Sequence, residues 1–259
     1  MLIQYAIRST TLLLGLLFSL STFAAAVLES ATGDVKVGPT TATASAASTG
    51  QAVPAGSTVV TGRGGRATLR FDDGNFVLLH EHTEFRIAEH VYAKEAPAKD
   101  KFVVELLRGM LRMVTAAVKP RNPQAYAIRT PQATIGIRGT DFMLASVNPL
   151  YISVLGGTVT ASNAAGLVAF NAGATGFVAN AGVLAASVSA ATLPASVSAA
   201  FSQLGSIAIG AGGAVGASAA AAGGISVVPA AIAAGVAAGI AVSAGSDDLP
   251  APATATATR

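Results

Sequence analysis

Between Ile128 and Phe142 the chain packs alternating β-branched residues, two glycines and an Arg-Gly-Thr-Asp step into one short run. Thr130 precedes Pro131, which pushes its backbone towards extended geometry. Ala133, Ile135 and Ile137 alternate onto one face, the period of a half-buried strand. Gly136 and Gly139 permit positive φ or close backbone approach. The run therefore reads as two extended pieces joined by a tight corner. Arg138 and Asp141 flank Gly139-Thr140, a spacing at which guanidinium and carboxylate are expected to meet. The structural reading is a corner held by hydrogen bonds, and the functional reading makes Arg138 and Asp141 ligand contacts.

The same strand grammar extends along the chain. Val35 and Val37 alternate after Gly33-Asp34, and Thr58 to Thr61 is β-branched throughout. Arg66 to Phe71 alternates polar and apolar, and Asp72-Asp73-Gly74-Asn75 carries the Asp-Gly hairpin signal. Val77, Leu79, Phe85 and Ile87 resume the alternation, and Val103 to Met113 supplies another strand or two around Gly109. An internal echo relates Gly33-Asp34-Val35 and Val53-Pro54-Ala55-Gly56 to Gly157-Thr158-Val159 and Phe170-Asn171-Ala172-Gly173. Spaced short strands of this kind give an all-β expectation over residues 27–180, a short-strand β-helix-like roll or a β-sandwich.

The N-terminus has the pattern of a secretory leader over residues 1–26. Arg8 precedes an apolar run from Thr11 to Leu20, and Ala24-Ala25-Ala26 offers a cleavage site. Periplasm or outer envelope is the expected location. Losing Arg8 leaves one charge less than the formal +3, so the basic balance is no argument for nucleic acid. The chain has no cysteine, which excludes disulfides, thiolate metal sites and a Cys nucleophile.

Charge divides the chain. From Phe142 to Ser246 there is no Asp, Glu, Lys, Arg or His, whereas about a quarter of a typical composition is charged. Residues 181–203 read as a linker, 204–246 as an Ala/Gly-rich apolar segment with helical character in view, and 247–259 as a disordered tail. Within it, residues 225–244 form a charge-free 20-mer with a G-x-x-x-G step at Gly235 and Gly239. Its length suits a membrane span. Its small residues and the following Asp247-Asp248 suit a linker or a helical packing element instead.

Chemistry-bearing clusters are few. In a strand, His80, His82 and Glu84 would share one face, two imidazoles and a carboxylate in a zinc-like or iron-like set. The core face of that strand is expected at Val77, Leu79, Phe85 and Ile87, which leaves the histidines solvated. No catalytic residues, no cofactor and no firm metal site are expected. No nucleophile elbow, Walker loop, HExxH or dinucleotide fingerprint occurs. Arg63, Arg66, Arg70 and Arg86 offer a basic face for anionic glycan.

The run from Thr130 to Phe142 resembles the T-P-x-A-x-x-G-x-R-G-T-x-F signature of FecR-domain proteins. Thr130, Pro131, Gly136, Arg138, Gly139, Thr140 and Phe142 match it, and Asp141 fills the open position. Supporting pieces are Gly33-Asp34-Val35, Ala55-Gly56 to Thr61-Gly62, Phe71-Asp72-Asp73-Gly74 and Leu107-Arg108-Gly109. The resemblance implies an all-β periplasmic domain without enzymatic activity. Family members with known roles relay a signal from a siderophore receptor to a sigma factor, and carry an anti-sigma segment before a transmembrane helix. The leader-like start implies instead a stand-alone exported FecR-domain protein. The expectation is a non-catalytic envelope module that binds a protein partner or signals, tied to iron-uptake-type regulation. The alternative is a surface- or glycan-associated structural protein.

Overall fold

Three long strands carry the chain's core around corners, and the corners are glycines. The computed structural model describes residues 24–115 and 125–209. Among them fifteen strands join one hydrogen-bonded network, with a single α-helix. In order they are β1 (Ala24–Thr32), β2 (Val35–Gly38), β3 (Ser45–Ala46), β4 (Ala52–Pro54), β5 (Thr58–Thr61), β6 (Arg66–Phe71), β7 (Phe76–Leu79) and β8 (Glu84–Val91). There follow β9 (Lys101–Val114), β10 (Tyr126–Arg129), β11 (Thr134–Ser146), β12 (Leu150–Asn163), β13 (Gly166–Asn171), β14 (Thr175–Val178), β15 (Ala186–Val188) and α1 (Ala195–Gly205). The all-β expectation holds.

The long strands change partners part-way. The first half of β9 pairs with β8 and, in parallel, with β10; its second half pairs with β7 and β11. The first half of β11 pairs with β10 and its second half with β9. β12 pairs with β14 early and β13 late. At each change the interior positions slip by one residue. In β9 the fully buried residues are Phe102, Val104 and Leu106, then Leu111 and Met113. In β11 the residues facing the main core run Ile135 and Ile137, then Phe142 and Leu144; in β12, Leu150, Ile152 and Val154, then Val159 and Ala161. Side chains alternate with period two, so one extra residue would throw the second half of a strand to the wrong face unless the strand bends there. Gly109, Gly139 and Gly157 sit at the three slips with φ of +93°, +56° and +76°. The bend keeps both halves of each strand facing the same apolar interior.

A second, smaller core lies on the other face. Val197, Ala200, Phe201 and Leu204 recur along α1 at the helical i, i+3, i+4, i+7 spacing, and these four are its buried residues. Val197, Phe201 and Leu204 pack against Leu78, Met143 and Ala145 of the sheet. Burying an aromatic or aliphatic side chain of this size contributes about 1.5–3 kcal/mol.

Residues 181–203, expected as a linker, carry β15, a 3-10 turn at Ala190–Thr192 and most of α1. The charge-free composition hid this helix, which needs no charge because its face is covered by the sheet. At the other end β1 begins at Ala24, inside the expected leader. Residues 1–23, the Ala/Gly-rich stretch with its 225–244 span and the 247–259 tail lie outside the described residues. Among the described residues no helix is long and apolar enough to cross a membrane.

Candidate functional site: the signature corner and the face beside it

The signature run builds a turn, a strand and a corner. Thr130 closes the β10–β11 turn: its hydroxyl accepts from the Ala133 N–H at 3.1 Å and donates to the Ala133 carbonyl at 2.8 Å. At the corner, Thr140 N–H donates to Thr115 Oγ1 at 2.6 Å, and Thr115 N–H donates to the Thr140 carbonyl at 2.9 Å. Gly157 lies so close that a Cβ there would sit 2.2 Å from the Gly139 carbonyl oxygen. Phe142 then enters the core, fully buried.

Arg138 and Asp141 do not meet. The Asp141 carboxylate accepts two bonds from Arg112, from Nε at 2.9 Å and from Nη2 at 2.7 Å. The remaining arm, Arg112 Nη1, donates to the carbonyls of Leu204 at 3.0 Å, Gly205 at 3.2 Å and Ile207 at 2.9 Å. These carbonyls end α1, which has no basic residue in its own last turn. A guanidinium at that position satisfies orphan carbonyls and complements the helix dipole. Asp141 thus holds an arginine that holds the helix. Arg112 was missed in the sequence because its partners lie 29 residues away in Asp141 and more than 90 residues away in α1. The bulge explains why the neighbouring arginine fails: register shifts between Arg138 and Asp141, which turns the two side chains apart.

Arg138 is exposed and makes no hydrogen bond or ion pair with a described residue. It stands at one end of a shallow outer face of β10–β13. There the register aligns Ala127, Gly136, Thr160 and Ala169 in one row, and Arg129, Thr134, Ser162 and Leu167 in the next. The groove over these rows has a volume of about 550 Å³. Gly136 lowers its floor, since a Cβ there would meet Thr160 Oγ1 at 2.5 Å. Leu167, 64% exposed, forms an apolar rim. At the far corner Arg129 is engaged with Glu105 at 3.8 Å.

The histidine cluster of the sequence reading does not form. Residues 80–83 are a turn, with His82 at φ +57°, so the strand face expected for His80, His82 and Glu84 is broken. His80 is buried with Nε2 3.0 Å from Gln203 Oε1 of α1. Glu84 binds Arg108 at 3.1 Å. The expected basic face is also thinned: Arg66 donates to Gln203, Arg70 pairs with Glu29 and Arg86 with Glu105. Among the described residues the grouping of potential metal ligands is a different one, Asp72, Asp73 and His90.

Residues 57–160 match the family described as FecR protein, a span from the start of β5 through the signature corner into β12. Over these residues the chain is similar to a FecR domain. Outside the matched residues lie β1–β4 on one side and β13–β15 and α1 on the other. Two crystal structures of a protein from Parabacteroides distasonis, provisionally named an anti-sigma factor, align at TM-score 0.42 and 19% identity. The alignment covers 51% of this chain and 58% of theirs, a likeness too slight to carry function. No curated protein matches.

Proposed function

We propose that this chain is a non-catalytic module of the bacterial envelope whose FecR domain docks a protein partner in a signalling assembly, with iron-uptake-type regulation as its setting. The observation that carries the docking reading is the outer face of β10–β13. It is floored by glycine, alanine and hydroxyl side chains, rimmed by exposed Leu167, and flanked by Arg138, a cation with no described partner. Such a face accepts an extended segment whose acidic side chain reaches Arg138, since a charge-assisted contact at a rim sets orientation and encounter rate. Gly136 serves this face by keeping its floor low, and the Arg112–Asp141 pair serves it by fixing the corner.

A photo-crosslinking residue placed at Thr134 or Ser162, in cells, tests the reading. The expected result is one discrete adduct from these positions, reduced by Arg138→Glu, and none from Lys36 on β2, which pairs with β3 and β5 and not with these strands. Equal labelling from all three positions, or none from the groove, would count against it. An exported location is tested alongside by N-terminal mapping of the protein from fractionated cells.

A further inference from the structure

We infer that Asp72, Asp73 and His90 form a binding site for a divalent transition-metal cation of the zinc class. The three side chains come from the β6–β7 turn and the far end of β8, and one ligand atom from each lies within 4.8 Å of the others. His90 is the fixed point. Its side chain is only 2% exposed, wedged between Phe71 at 5.3 Å and Phe102 at 5.7 Å between ring centroids. These rings leave Nε2 facing the turn, where it contacts Asp72 Oδ1. Its Nδ1 is buried without a hydrogen-bond partner.

Asp73 is held as a ligating carboxylate would be. It accepts from the Asn75 backbone N–H at 3.0 Å, from Asn75 Nδ2 at 2.7 Å and from the Tyr126 hydroxyl at 3.3 Å. Supporting bonds of this sort orient metal ligands. Asp72 is half exposed, which leaves a path for the ion and room for water to complete a tetrahedral shell. Among the described residues no lysine or arginine pairs with either carboxylate. One imidazole with two carboxylates favours a zinc-like ion over calcium, whose sites are built from oxygen alone.

The test is titration of the tag-free, chelator-treated full chain with zinc chloride, followed by calorimetry and thermal melting. The expected result is one equivalent bound and a melting temperature that rises with zinc, as ligand linkage requires, and not with calcium. Asp72→Asn sits on a half-exposed turn and leaves the fold intact; it should weaken zinc binding by about tenfold or more. His90→Gln should abolish it, and His82→Gln should leave it unchanged. Absence of heat and of any melting shift in the wild-type chain overturns the site. So does binding that survives Asp72→Asn undiminished, or that is lost in His82→Gln instead.

Discussion

The molecule contains the same backbone device twice, and seals it in two ways. At the first corner Gly33, φ +68°, lies against Gly64: a Cβ would sit 2.3 Å from the Gly64 carbonyl oxygen. At the second, Gly157 lies against Gly139 with a corresponding distance of 2.2 Å. Each is followed by an A-G turn at positive φ, Gly56 at +85° and Gly173 at +84°. The first corner is clasped by a surface carboxylate, as Gly64 N–H donates to Glu81 Oε2 at 2.7 Å. The second is clasped from inside, by Arg112 and Asp141 and the helix they hold. A repeated fold element thus keeps its glycines wherever backbones touch. The polar clasp is free to differ, and only the inner clasp ties the corner to the helix.

The backbone half of the comparison breaks first under substitution. Gly33→Val and Gly157→Val each force a branched side chain into a carbonyl oxygen at a φ such residues rarely adopt. Each should cost upward of about 4 kcal/mol, or prevent folding outright. Gly173→Ala is the control: its φ is also positive, yet nothing lies within 4 Å of the added Cβ. Only backbone strain remains there, about 1–3 kcal/mol. Urea unfolding of the three variants ranks them, and an equal loss in all three would remove the close-approach argument.

Arg112→Ala is next in size. It strands Asp141, whose side chain is 29% exposed, and strips the carbonyls at the end of α1, so about 3–5 kcal/mol is expected from a broken buried pair. The loss should be local as well as global. Amide exchange in α1 should accelerate to a greater degree than in β5–β8, because the helix depends on that guanidinium for its C-terminal capping. Uniform acceleration would mean that the helix and the corner are not coupled.

The outer clasp is weaker and pH-dependent. The Gly64 N–H bond holds the Glu81 carboxyl below its ordinary 4.5. A depressed folded value means that this contribution is present above about 4.5 and is lost as pH falls through the folded value. Glu81→Gln keeps an acceptor for Gly64 but removes the charge. The variant should unfold at slightly lower urea than wild type at pH 7, and the gap should close as pH falls through the lowered folded value. A gap that persists in acid would assign the effect to shape instead of charge.

Much of this was legible beforehand. The all-β class followed from the alternation, the β6–β7 hairpin from Asp-Gly, and the corner from Gly136 and Gly139. The internal echo marked Gly33 and Gly157 as equivalent positions, but not their contacts with Gly64 and Gly139. Even the register slips are written in the chain, as apolar parity that changes across Gly109, Gly139 and Gly157. What failed were statements needing partners remote in sequence. Asp141 was assigned to the nearest arginine, because nothing local points to Arg112. His80 and His82 were placed on a strand, because a turn formed with a non-glycine residue at positive φ leaves no local signature. His90 and Asp72 meet only because β8 runs back beside the β6–β7 turn. The helix α1 was hidden by the absence of charge, although Val197, Phe201 and Leu204 had the right spacing.

The smallest stability effect is expected at the residue with the largest expected effect on binding. Arg138 lies three positions before Asp141, yet shares none of its contacts. Arg138→Ala removes no described hydrogen bond, so its unfolding free energy should stay within about 0.5 kcal/mol of wild type. Arg112→Ala, one strand away, should lose several times as much. If Arg138 orients a partner, its removal should erase the groove crosslink at an unchanged melting temperature. If instead Arg138→Ala lowers the melting temperature as Arg112→Ala does, then both arginines brace the corner, and the outer face loses its cation as a recognition group. Measuring melting and crosslinking on the same two variants therefore separates the arginine that builds the corner from the one that the corner displays.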